Sequence, residues 1–160
     1  MALPGYMNIS AENQGAIEGE CDLEGREGAI VVLAASHSVK LPTDSRGLPN
    51  GRRIHLPITI LKTLDRTSPM LYQALSDGEL LSSVVIDWYR MDGAGMEELY
   101  YRQTLKNAQI TAIDFMVDES TEQSNSRVGH MEKISFIYDS ITWSHEIDGI
   151  EYEDNFGIQA

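Results

Sequence analysis

The sequence predicts a mainly β fold, a barrel of two antiparallel sheets with one short flanking α-helix, in a single domain covering residues 1–160. Three observations predict it. Several segments alternate apolar and polar residues with a period of two, the pattern of strands with one buried face. Turn-forming residues separate them. Only residues 68–78 combine a helix start signal with a helix stop signal. With 160 residues, 42% of them hydrophobic, the chain is long enough for one substantial core and short for two.

Residues 30–41 read as a strand whose odd positions, Val31, Leu33, Ala35, His37, Val39 and Leu41, face the core, while Ser36, Ser38 and Lys40 form a more solvated row. Residues 53–62 repeat the pattern, with Ile54, Leu56, Ile58 and Ile60 on one face and His55 and Thr59 on the other. Pro57 cannot donate to a ladder, which places this strand at an edge or makes it bulge there. The helix follows: a Ser68 hydroxyl for the cap, Pro69 in the first turn, an apolar stripe of Met70, Leu71, Ala74 and Leu75, and Gly78 as a left-handed stop. So short a helix depends on tertiary packing, and it is expected to plug or flank an open end of the barrel.

Residues 80–91 are apolar on both faces, and Asp92-Gly93-Ala94-Gly95 is a hairpin turn. Residues 97–117 are too long for one straight strand and are expected to bend near Lys106-Asn107, continuing with Ile113, Phe115 and Val117 in alternation. Residues 118–130 form a polar, disorder-prone loop. Residues 131–145 read as the final long strand. Ile134, Phe136 and Tyr138 lie on one side and Ile137, Ile141 and Trp143 on the other, so both faces meet protein. No internal repeat is evident.

Composition narrows the function. Twelve Lys and Arg against 25 Asp and Glu leave a net charge of -13, which repels phosphate backbones and anionic lipid. Nucleic-acid and membrane partners are therefore not expected. No apolar run approaches a membrane span, and the N-terminus shows no secretory signal. If the protein leaves the cell, it is expected to do so folded, through a dedicated machine. Cys21 is alone, so no intrachain disulfide forms, and Glu20, Asp22 and Glu24 around it disfavour the thiolate.

Several chemistries fail on spacing. His37, His55, His130 and His145 are widely separated and lack metal-ligand spacing, so no metal or other cofactor is expected. The acidic run 20–27 lacks calcium-loop spacing and carries Arg26 within it. Gly93-x-Gly95 leads into a strand rather than a helix, so it is a turn and not a phosphate cradle. Ser36 and His37 are adjacent on a strand and point to opposite faces, and no nucleophile elbow exists. No enzyme site can be assembled. Trp88, Trp143, Tyr100 and Tyr101 are read as core or interface packing, and the scattered methionines form no adaptable groove.

Taken in order along the chain, Tyr6-Met7-x-Ile9, Gly19-Glu20, the strand ending His37-Ser38, Thr63-Leu64-Asp65-Arg66-Thr67-Ser68-Pro69-x-Leu71, Tyr100-Tyr101, Leu105-x-x-Ala108 and Ile134-Ser135-Phe136-x-Tyr138-x-x-Ile141-x-Trp143 resemble the haemolysin-coregulated protein family. Those proteins are inner-tube subunits of type VI secretion systems. The resemblance implies a homohexameric ring, stacking of rings into a hollow tube, a spike protein at the tip, a contractile sheath outside and effector proteins in the lumen. It implies assembly in the cytoplasm followed by secretion, and it brings no catalytic residue.

Within that scheme Ser36, Ser38 and Lys40 are the lumen candidates, because a channel lining stays hydrated. Thr43, Asp44, Arg46, Asn50 and Arg52, in a loop read as flexible and of mixed charge, are the ring-stacking candidates. Pro57, Ile137, Ile141 and Trp143 are the subunit-interface candidates. A stand-alone β-barrel carrying a small ligand and a phage-tail tube protein remain the competing readings.

Overall fold

The computed structural model describes residues 2–119 and 129–156. Most of the expected polar loop at 118–130 therefore lies outside the described residues. Among the described residues, twelve strands and one helix follow one another as β1 (Gly5–Ala11), β2 (Gly15–Ile17), β3 (Ile30–Val32), β4 (Ala34–Ser36), β5 (Val39–Lys40), β6 (Ile54–His55), β7 (Ile58–Thr63), α1 (Ser68–Asp77), β8 (Leu81–Met91), β9 (Glu97–Met116), β10 (Met131–Ile137), β11 (Ser140–His145) and β12 (Ile150–Asn155). All strand pairings are antiparallel. The fold is mainly β, two sheets with one short helix.

β9 belongs to both sheets. Its first half pairs with β8 and β11, and its second half pairs with β10. The change of sheet occurs at Asn107, the one described non-glycine residue with positive φ (50°); Asn tolerates that region better than most side chains. The bend expected at Lys106-Asn107 is there. The first sheet runs outward from β9 through β8 to β1, which carries β2 and β3, and on the other side through β11 to β12. The second runs β9-β10-β7-β4.

Residues 30–36 span the two sheets. β3 pairs with β1, then the chain steps across and β4 pairs with β7, with Leu33 N donating to Leu61 O (2.8 Å). This crossing corrects the expected facing of residues 30–41. Ile30 and Val32 are buried and Leu33 is exposed, because a strand that changes sheets does not keep one alternation. The 53–62 strand is also broken. Pro57, without an N–H, sits between β6 and β7, and only β7 keeps the predicted alternation, with Ile58 and Ile60 buried. Pro57 thus interrupts rather than edges a sheet, since β7 is paired on both sides.

α1 buries Leu71 and Ala74 and packs on β9. Gly78 ends it at φ 63°. Ser68 is not its cap: Thr67 holds that position without a side-chain bond, and the Ser68 hydroxyl instead donates to Glu132 Oε1 (2.8 Å). The long strand expected at 131–145 is two strands, β10 in one sheet and β11 in the other. β12, not anticipated, extends the first sheet.

One close approach yields a prediction. A Cβ on Gly5 would lie 2.7 Å from the Trp88 ring, which is pinned by Nε1–H donation to Gln103 Oε1 (2.8 Å). Gly5→Ala is expected to displace that ring and cost about 1–2 kcal/mol in urea unfolding, with a change in Trp fluorescence of the native state.

Candidate functional site

Between β4 and β7 the chain leaves the sheets as an arm built on β5 and β6. It is a hairpin, and the loop expected at 42–52 forms its outer part. Val39 pairs with His55 and Lys40 with Ile54. Further out Thr43 bridges to Pro49, and Asn50 N donates to Pro42 O (2.7 Å). At the tip, Asp44 Oδ1 accepts from Arg46 N (2.8 Å) and Leu48 N (3.0 Å). These two backbone donors hold the Asp44 carboxyl below its usual range. Gly47 (φ 80°) and Gly51 (φ 100°) supply turns that a β-carbon would strain.

The arm presents apolar surface to solvent: Val39, Leu41, Leu48, Ile54 and Leu56 are all exposed, between 38% and 50%. Local chemistry explains why. Seventeen residues of a two-stranded hairpin have no second layer of their own to bury them.

Its root is fastened to the barrel by a polar chain. His37 Nε2 lies 2.8 Å from the Tyr138 hydroxyl and His55 Nδ1 lies 2.6 Å from the same oxygen. His55 Nε2 is 2.7 Å from Asp154 Oδ2, and Arg53 grips Asp154 with two bonds of 2.6 Å while also donating to Asn155 O (3.3 Å). Phe156 packs 4.6 Å from the His55 ring, and Trp143 lies near both imidazoles. The His55 and Asp154 side chains are 2% and 8% exposed.

The protons can be placed from the partners. Arg53, then His55, hold the Asp154 carboxyl below its ordinary range against the opposing effect of burial. An ionised carboxylate only accepts, so His55 Nε2 carries a hydrogen; with a neutral ring, its Nδ1 accepts from the Tyr138 hydroxyl. The Tyr138 oxygen then accepts from His37 Nε2–H. Burial, then the charge of Asp154, pushes the Tyr138 phenol well up, so it stays a hydroxyl. Burial, then the neighbouring His55, pushes His37 down.

The residues expected to form sites divide as follows. Ser36 lies on β4, Ser38 beyond its end and Lys40 on the arm, so they do not form one row; the chain leaves the second sheet after Ser36. What Ser36 does join is a row across four strands. It stands opposite Thr59, which pairs with Ser135, which pairs with Ala112. Cross-strand partners share a face, and this one points away from buried Ile60 and Ile134. It is smooth and hydroxyl-rich, with Thr59 Oγ1 3.0 Å from Ser135 Oγ.

Thr43, Asp44, Arg46, Asn50 and Arg52 all lie in the outer part of the arm. Of the interface candidates, Pro57 is exposed and Ile137 and Trp143 are half-buried. Ile141 is fully buried in the chain's own core, which corrects its place as a contact residue: the chain passes from the second sheet to the first at Tyr138-Asp139, and the alternation restarts. Trp143 stacks on Tyr152 of the adjacent strand (6.2 Å, 3°) and on the arm root, so much of its partner protein is intramolecular.

Spacing could not reveal that His37 and His55 meet. The available signal was their symmetry, one on each side of a Gly- and Pro-containing loop, as the two stems of a hairpin require. Among the described residues, no three His, Cys, Asp or Glu side chains gather in a metal-ligating group.

Comparison with known proteins places this architecture. The profile of the family described as "Type VI secretion system effector, Hcp" matches residues 6–145. A Pseudomonas aeruginosa protein named "Major exported protein" is 37% identical, over 98% of this chain and 96% of its own length. A solved structure described as "Crystal structure of Hcp protein" superposes with a TM-score of 0.91 at 29% identity, covering 98% of this chain and 99% of the other. The secreted protein Hcp3 from Pseudomonas aeruginosa superposes at 0.80 with 33% identity, over 96% of this chain and 97% of its own. With fold, length and sequence all in agreement, the chain belongs to the Hcp family of type VI secretion.

Proposed function

We propose that residues 1–160 act as one tube-forming unit, the inner-tube subunit of a type VI secretion system. Six copies close into a ring, rings stack into a hollow tube, and effector proteins ride in its lumen. A spike protein caps the tube and a contractile sheath drives it out of the cytoplasm, so that the subunit is itself exported. The role is structural and carrier-like rather than enzymatic.

The observation that carries this reading is two surfaces on which apolar side chains stand exposed in a row. One is the apolar arm. The other is β12, which among the described residues pairs only with β11 and exposes Ile150 (68%) and Tyr152 (63%). Open edges and apolar arms invite pairing, and a closed ring of identical copies covers such surfaces without leaving an end. The arm leaves the second sheet between its paired strands β4 and β7 and suits contact with the next ring, through Thr43, Asp44, Arg46, Asn50 and Arg52. The hydroxyl row of Ser36, Thr59 and Ser135 suits a wetted channel wall.

Light scattering of the purified protein, with negative-stain imaging of the same peak, tests the assembly. A mass of six protomers and annular particles is the expected result. A monomer at high concentration without rings would return a single ligand-carrying barrel to the front, and recovery with DNA would favour a phage-tail tube.

A further inference from the structure

We propose that the chain His37–Tyr138–His55–Asp154–Arg53 is an acid-sensitive clamp that holds the arm against the barrel at neutral pH and releases it when both histidines are charged. The proposal rests on the reading of the arm as the ring-stacking element.

The geometry allows one phenolic hydrogen to serve two imidazoles. With both rings neutral, every polar atom along the line is matched: His37 Nε2–H to Tyr138, the Tyr138 hydroxyl to His55 Nδ1, and His55 Nε2–H to Asp154. With one ring charged the line survives by reversal. A protonated His55 donates from Nδ1 to the Tyr138 oxygen, and the hydroxyl turns to donate to His37 Nε2, whose hydrogen moves to Nδ1.

With both rings charged no arrangement works. Two N–H groups converge on one oxygen, and the phenolic hydrogen loses its acceptor inside a buried cluster. The two cations face each other with ring centroids 6.4 Å apart.

Charges from the surrounding elements do not relieve this. Among the described residues, the ionisable groups in contact with the cluster are Tyr138 from the β10–β11 junction, Asp154 and Tyr152 from β12, and Arg53 from the arm itself. Asp154 is the only anion among them, and Arg53 already engages both its oxygens. The doubly protonated cluster therefore sets three cations against one carboxylate. Trp143 and Phe156, the other walls, bring no charge.

The consequence falls on the arm because every link joins it to the barrel. His37, Arg53 and His55 stand at its two stems, whereas Tyr138 and Asp154 stand on the sheets. Histidine is the side chain that changes charge between about pH 5 and pH 8, so a tube assembled at neutral pH would lose its stacking contacts in an acidic environment.

Hydrogen exchange at the Leu56 amide, which donates to Ser38 O (3.0 Å) between the two stems that His37 and His55 anchor, reads opening of the arm root. After correction for intrinsic exchange, protection is expected to fall at least about tenfold between about pH 7.5 and about pH 5.5 in the wild-type protein. His37→Gln keeps a donor and acceptor but cannot become charged, and it is expected to hold protection constant within about twofold over that range. His55→Gln removes the other charge and is expected to diminish the fall, leaving the part that burial of His37 alone produces.

Wild-type protection that does not change with pH overturns the clamp, and so does a pH response that persists undiminished in both variants. Sedimentation of tubes, run in parallel, separates the two ideas. Absence of rings at pH 7.5 overturns the assembly reading while the Leu56 amide still reports on the clamp. Tubes that persist at pH 5.5 with a protected Leu56 overturn the clamp alone.

Discussion

Lys62→Met is expected to destabilise the folded protein by about 3–5 kcal/mol, the usual cost of leaving one member of a buried ion pair without its partner. Lys62 is 1% exposed and Glu132 is fully buried, on neighbouring strands β7 and β10, where they stand opposite one another. The Lys62 ammonium donates to Glu132 Oε1, and it is surrounded by Thr63 O (3.0 Å), Asp65 Oδ1 (3.1 Å) and Ser68 Oγ (3.3 Å). Glu132 depends on it heavily. Its Oε1 receives one further bond, from the Ser68 hydroxyl, and its Oε2 is buried without a hydrogen-bond partner among the described residues.

Removing the ammonium therefore strands a carboxylate in the core. Replacing both residues, Lys62→Met with Glu132→Leu, removes the charge pair together and is expected to recover most of the loss, since apolar substitutes for buried pairs are often neutral or better. Asp65 keeps acceptor work in the double variant, from Thr67 N (2.9 Å) and the Thr67 hydroxyl. Urea unfolding at fixed protein concentration measures both, the concentration being held because assembly adds to apparent stability. A single substitution costing under about 1 kcal/mol would show the pair is not the element that aligns these strands with the start of α1.

Asp154→Ala is the second large effect, expected at about 2–3 kcal/mol because it removes hydrogen bonds to charged groups and leaves a buried donor unpaired. The loss is uneven between the partners. Arg53 is 45% exposed and turns to water. The His55 ring is 2% exposed and does not, so its Nε2–H is left without an acceptor. Protease cutting in the arm at neutral pH is expected to rise along with the loss of stability, while the barrel core stays resistant.

The same residue fixes a pH dependence. Its carboxyl is held below the ordinary value, chiefly by Arg53, so its contribution is full above the ordinary carboxylate pKa of about 4 and is lost as pH falls through the lowered folded value. His37, also lowered, loses its contribution earlier, as pH falls below the ordinary histidine value of about 6.5. Acid unfolding followed by circular dichroism is expected to show a lower midpoint slope below pH 4 in Asp154→Ala than in wild type.

The sequence by itself determined the class of the fold and the boundaries where backbone chemistry is local. α1 is legible because Pro69 suits a first turn and Gly78 a left-handed stop, and both act within a few residues. The bend in β9 is legible because twenty residues cannot stay straight in one sheet and Asn107 tolerates positive φ. The family could be read because its residues recur in order along nearly the whole chain.

What only the tertiary structure decided is which face each residue turns to when the chain changes sheets. Ile141 and residues 30–36 mislead for that reason: period-two alternation holds only while a strand keeps one partner set. Nor does spacing in sequence report meetings across the fold. His37 and His55, eighteen residues apart, share one tyrosine, and Lys62 finds Glu132 seventy residues away. Such contacts are products of register and of the crossing of two sheets, and polar groups buried by that crossing acquire partners that no local pattern specifies.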